Sequence, residues 1–231
     1  MTAWRELSRF TGDAVLVASK DLRIEWRART ALGQMLPFAV LVLVLFGFAL
    51  DANRPTLRLA TPGLLWMTVL FATVVAVQRS VAVESADGAR RMLLLSGMAP
   101  AAAFAGKAAA VAVQLLVVEA LLVPGVVLLY DADIESVPLV VATCVAATVG
   151  LAAAGSLLGA VVAGVRAHQT VLPILLLPVS APVLIAATRA FADGFGTVAV
   201  DGWPWVALLA GFAAVNAVVG AVVYGPLLED T

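Results

Sequence analysis

Charge is scarce in this chain. Only 13% of its 231 residues are charged while 63% are hydrophobic, and the mean hydropathy is +1.06. Soluble domains carry about 25% charged residues, so a single water-exposed fold is excluded. Cysteine is limited to Cys144, which excludes an intrachain disulfide and a thiol cluster for a metal. His168 is the sole histidine, and no serine or cysteine has a plausible histidine-and-acid partner set. The sequence has no GxxxxGK[ST] phosphate loop, no HExxH and no CxxCH, which removes the usual ATP, zinc-protease and haem-attachment motifs. No catalytic residue, no metal site and no nucleic-acid partner is expected. Met1–Arg29 is charged throughout and lacks a compact apolar core before a small-residue cleavage site. No cleavable signal peptide is therefore expected.

Long apolar runs are what the chain does have. A helix needs about 20 apolar residues to cross a bilayer, and six such runs occur. They lie near Gln34–Leu50, Thr61–Gln78, Pro100–Tyr130, Pro138–Val165, Thr170–Ala190 and Trp203–Tyr224. The expected fold is an all-α polytopic membrane protein, one permease domain over residues 1–231. In the second span Thr61 reads as an N-cap with Pro62 at the first helical position. The third is too long for one untilted span, and Pro124-Gly125 is expected to break or end it. Trp203 and Trp205 are placed like interfacial anchors at the start of the sixth.

Residues 1–31 precede the spans and hold six of the fourteen basic residues, Arg5, Arg9, Lys20, Arg23, Arg27 and Arg29. Val15, Ala18, Leu22 and Trp26 fall on one helical stripe, with Lys20, Arg23 and Arg27 to its other side. That pattern predicts an amphipathic helix lying in the plane of the cytoplasmic leaflet. With the N-terminus inside, those six basic residues join Arg79, Arg90, Arg91, Lys107 and Arg166 to place eleven inside, against Arg54, Arg58 and Arg189 outside. The positive-inside rule then puts both termini in the cytoplasm; the membrane expected is the cytoplasmic (inner) one.

Two spans are irregular. The fifth holds Pro173, Pro178 and Pro182, each of which frees a backbone carbonyl that lipid cannot satisfy. The fourth holds Gly155-x-x-x-Gly159, a spacing that lets helices approach closely. Glu119 lies well inside the third apolar run, where an ionised carboxylate costs about 2.5–3.5 kcal/mol or more. It is expected to face the bundle interior and is the intramembrane candidate. His168 reads as an ordinary residue of a short cytoplasmic turn.

The stretch from Arg79 to Lys107 joins spans two and three and is expected to be a cytoplasmic coupling loop. Glu84, Asp87, Arg90 and Arg91 surround the Asp87-Gly88 turn signal, and Met92–Leu95 forms a short apolar patch. A stretch polar on one side and apolar on the other suits docking onto a partner. The docking residues expected are Glu84, Asp87, Gly88, Met92, Leu93 and Leu94.

A basic leading helix, six spans, a cytoplasmic amphipathic loop and no nucleotide site together resemble the permease half of an ABC exporter of the ABC-2-like type. The resemblance is closest to the haem exporter protein B family, CcmB, of cytochrome c maturation. Thr61-Pro62-Gly63-Leu64-Leu65-Trp66, Asp87-Gly88 and Leu93–Leu95 follow that family's pattern, and Leu172–Ala190 is similar to its proline-bearing fifth span. Pro62, Gly63, Trp66, Pro178 and Pro182 are the residues carrying these motifs. Gln78-Arg79 stands where the family usually has Glu-Arg, and Ser96-Gly97 where it has Leu-Pro. The resemblance implies a permease subunit, a homodimer in its complex, that binds no cofactor itself. ATP would enter through an ATPase subunit resembling CcmA, with haem as possible cargo. It further implies membrane subunits resembling CcmC and CcmD and a periplasmic haem chaperone resembling CcmE. Rival readings are an ABC-2 permease for a lipid, drug or polysaccharide, a structural anchor for the ATPase, and a proton-coupled secondary transporter.

Overall fold

The computed structural model describes residues 2–28, 30–50, 53–86, 97–164 and 168–229. Among them are seven α-helices and no strand. They are α1 (Thr2–Ala28), α2 (Thr30–Ala49), α3 (Arg54–Ala86), α4 (Pro100–Tyr130), α5 (Val137–Val162), α6 (His168–Gly194) and α7 (Trp203–Glu229). The last six are each long and apolar enough to cross a membrane. A lipid-facing backbone must satisfy its polar groups within its own segment, which is why apolar runs of this length fold as helices.

α4 and α5 occupy the middle. α4 packs against α1, α2, α3, α5 and α7, and α5 against α3, α4, α6 and α7. α2 and α7 lie at the periphery and turn Leu41, Phe48, Val218 and Val222 outward, a surface suited to lipid. Between helices already in lipid, association depends on close packing more than on the hydrophobic effect. Gly155 and Gly159 show how this chain achieves it. A Cβ at Gly155 would lie 2.6 Å from Val77 Cγ2, and one at Gly159 would lie 3.0 Å from Val81 Cγ2. The Gly-x-x-x-Gly spacing thus seats α5 on α3 of the same chain.

Two helix boundaries differ from the sequence expectation. α3 starts at Arg54, not at Thr61. Asn53 supplies the cap, its Oδ1 accepting from Thr56 N at 3.1 Å and Thr56 Oγ1 at 3.0 Å. Thr61 and Pro62 therefore sit inside the helix, and Thr61 Oγ1 donates back to Leu57 O at 2.9 Å. Pro124 and Gly125 likewise do not break α4, which runs unbroken to Tyr130. A proline's fixed φ is compatible with a helix, and packed neighbours make its missing bond tolerable in a membrane span. Tyr130 is one such neighbour contact: it is fully buried and its hydroxyl donates to Leu43 O of α2 at 2.8 Å.

The two ends of the bundle differ in charge. At the acidic end α4 closes on Asp131, in the left-handed conformation at φ 56°. Asp131 accepts from Arg54 at 2.8 Å and Arg58 at 3.0 Å, and Arg58 also reaches Asp133 at 3.0 Å. These pairs are exposed, so they fix the register of α3 against α4 more than they add stability. At the opposite, basic end lie Lys20, Arg23, Arg79 and Lys107.

α1 has three faces. Phe10, Ala14, Val17, Asp21 and Glu25 turn toward α4, whereas Val15 and Trp26 are 65% and 70% exposed. Arg9, Arg23 and Arg27 form a separate exposed flank. The apolar stripe of the sequence thus faces away from the bundle.

Candidate functional site

The Arg79–Lys107 stretch divides into three. Its first eight residues complete α3, its last eight begin α4, and 87–99 lie between. Asp87, Gly88, Met92, Leu93 and Leu94 lie outside the described residues, and so does the side chain of Glu84. Gly97 enters the next helix from a left-handed conformation, φ 67°.

What the structure does show is the base on which this stretch stands. Lys107 lies two turns into α4 and is 6% exposed, and Gln114, two turns further along the same face, is 7% exposed. Lys20, Asp21 and Glu25 of α1 and Arg79 and Ser80 of α3 gather beside them around a cavity of about 30 Å³, room for water. Lys20 Nζ pairs with Asp21 Oδ1 at 2.9 Å. Glu25 Oε1 accepts from Leu32 N at 3.2 Å, satisfying one of the orphan donors at the start of α2. A buried carboxylate of α1 thereby holds the start of the first span. Sequence reading missed this cluster. Its signal was an acidic pair one turn apart on α1 and a Lys–Gln pair seven apart in an apolar run.

Glu119 is buried, as expected, and packs between α4 and α5. Its Oε1 accepts from Thr148 Oγ1 at 2.5 Å, and Cys144 sets its thiol beside the same carboxyl. Oε2 has no hydrogen-bond partner among the described residues. Gln114 serves the basic-end cavity on another face of α4, so the two do not form one site. His168 opens α6, and its side chain lies outside the described set.

The second-span motif meets the fifth span one residue past its family-like stretch. Trp66 of α3 packs edge-on against Phe191 of α6, ring centroids 5.2 Å apart at 77°, and both rings are buried. Pro173, Pro178 and Pro182 all lie inside α6. The side chain of Ser180, between the last two, donates to Leu177 O at 2.9 Å. Sequence pattern alone did not show that Trp66 packs on this helix.

Compared with known proteins, the sequence matches the family described as "CcmB protein" across residues 13–228. The chain belongs to the CcmB family. It is 30% identical over 175 residues to "Heme exporter protein B" of Paracoccus denitrificans (strain Pd 1222), covering 76% of this chain and 80% of that protein. It is 24% identical over 175 residues to "Heme exporter protein B" of Pseudomonas aeruginosa (strain PAO1), covering 76% and 78%. The α3 motif around Trp66, the α6 prolines and the six spans all fall inside the family match.

Proposed function

We propose that this CcmB family chain is the permease subunit of an ABC transporter complex in the cytoplasmic membrane that serves c-type cytochrome biogenesis. The observation that carries the reading is the family match over residues 13–228, with relatives named for haem export. The chain has no phosphate-binding loop, so ATP hydrolysis falls to a separate subunit resembling CcmA. Subunits resembling CcmC and CcmD and a chaperone resembling CcmE complete the assembly, in which this chain is a homodimer. Hydrolysis drives haem export or release of the haem-loaded chaperone.

In this reading the segment between α3 and α4 seats in the ATPase. Met92, Leu93 and Leu94 enter an apolar pocket, where burial gains about 25 cal/mol per Å² of apolar area. Glu84 and Asp87 supply rim charges that orient the contact more than they tighten it. Gly88 permits the turn between them. Closure of the ATPase then moves α3 and α4 as a rigid pair, and the buried charges at their base carry α1 and the start of α2 along. Co-purification of the ATPase subunit tests this. Leu93→Asp and Leu94→Asp, which would bury an unpaired charge, are expected to abolish it while Glu84→Ala only weakens it. Retention of the ATPase by both aspartate variants, at normal membrane levels, would refute docking through this segment.

A further inference from the structure

Beside the Trp66–Phe191 contact, residues of α3 and α6 line a groove of about 460 Å³, within the range of about 300–1,000 Å³ for small-molecule sites. Its walls are apolar: Met67 and Leu184 line it with Ile185, and Met67 and Ile185 are 55% and 59% exposed. The groove is therefore open sideways, at a depth where lipid would otherwise stand. Its polar lining consists of donors, with no carboxylate. Trp66 is 1% exposed, and its indole nitrogen, which can only donate, has no hydrogen-bond partner among the described residues. Thr188 and Arg189 complete the lining. Arg189 stands five residues from the end of α6, about 8 Å at 1.5 Å per residue. No ion pair or hydrogen bond to it occurs among the described residues, unlike Arg54 and Arg58, the other cations at that end.

Apolar walls, a lateral opening and a cation with neighbouring donors select an apolar body with anionic groups on one edge. Gly63 points the same way. A Cβ built there meets no atom within 4 Å, so this chain's own packing does not require a glycine at that position. A helix-interior glycine costs roughly 0.5–1 kcal/mol relative to alanine, and the bare backbone widens the groove.

We propose that this groove binds haem, its carboxylates on Arg189 and its macrocycle against Met67 and Ile185; the identity of the ligand rests on the haem-export reading above. The test is hemin titration of the full chain in zwitterionic nanodiscs, followed by its Soret band. Arg189→Gln is expected to weaken saturable binding by about tenfold through loss of a charge-assisted pair. Gly63→Leu, whose Cβ meets no atom of this chain within 4 Å, should weaken it at least as much. Native-strength binding in both variants, or no saturable binding by the native chain, overturns the site. Loss of hemin binding when anionic phospholipid replaces the zwitterionic lipid assigns the groove to lipid headgroups. Cross-linking of Ile185→Cys between two chains, in a Cys144→Ala background, assigns it to a second copy; either result also overturns the proposal. A parallel measurement separates the two readings. If cells lacking the gene still make holocytochrome c, the haem-export reading fails, whereas unchanged hemin binding in the variants condemns only the groove.

Discussion

Glu119 and Thr148 meet at a point where neither has water to fall back on. The hydroxyl of Thr148 serves one carboxyl oxygen and leaves the other without a partner among the described residues. Interhelical hydrogen bonds in membranes average about 0.6 kcal/mol, but stranding a buried polar group costs about 1–3 kcal/mol. Thr148→Val is therefore expected to destabilise the chain by more than the bond itself is worth. Adding Glu119→Leu, which removes the stranded group, should recover part of the loss. Thermal unfolding of the two variants in detergent checks this, and equal midpoints would show that the pair does not couple. Function is a separate question. Glu119→Gln is expected to lower holocytochrome c without lowering membrane levels of the chain, and full cytochrome levels would reduce Glu119 to a packing residue. That Glu119 would be buried was legible, because a carboxyl in the middle of an apolar run has few places to go. Its partner was not. Thr148 and Cys144 lie 29 and 25 positions further along the sequence, on a helix whose rotation about its axis no local pattern sets.

Single helices were read well where the membrane dictates them and poorly where it does not. Six apolar runs became six candidate spans because length and hydropathy decide that question almost alone. The start of α3 was misplaced because Thr61-Pro62 copies a helix-start signal, whereas Asn53 provides the actual cap two turns earlier. The proline at 124 gave the same false signal in α4, since tertiary packing across Tyr130 and Leu43 outweighs one missing backbone bond. Tyr130→Phe should accordingly cost about 0.6–1.7 kcal/mol, read as a lower unfolding midpoint with the helix content unchanged. α1 is a more sensitive case. A Cβ at Gly106 of α4 would lie 2.5 Å from the backbone oxygen of Ala14 and 2.7 Å from Val17 Cβ, so no side-chain rotation relieves the clash. Gly106→Leu is expected to push α1 off the bundle and expose Val17, which is 5% accessible in the native fold. A Val17→Cys probe, in a Cys144→Ala background, should label slowly in the native chain and rapidly with Gly106→Leu. Equal labelling rates would show that α1 does not depend on this contact.

At the scale of the whole molecule, charge and packing meet at one end. The cations Lys20, Arg79 and Lys107 crowd the base of the segment between α3 and α4, while Asp131, Asp133, Asp193 and Asp201 occupy the opposite end. By the positive-inside rule the basic end of such a bundle is expected to face the cytoplasm. The closed cluster around Glu25 and Lys107 also ties α1 to that same side, because α1 cannot cross the bilayer while holding the start of α2. The expected orientation rests on the sequence count of basic residues, and the attachment of α1 keeps its cations at that same end. The expectation is that residues 1–31, the segment between α3 and α4 and the C-terminus all face the cytoplasm. Single-cysteine labelling at Ser85, in a Cys144→Ala background, reads it directly. An impermeant maleimide added to intact cells should leave Ser85→Cys unmodified and should react with it once the membrane is opened. A cysteine at Thr197, between α6 and α7 at the acidic end, should behave in the opposite way. Labelling of Ser85→Cys from outside intact cells would invert the bundle, and with it the placement of any ATPase on the segment between α3 and α4.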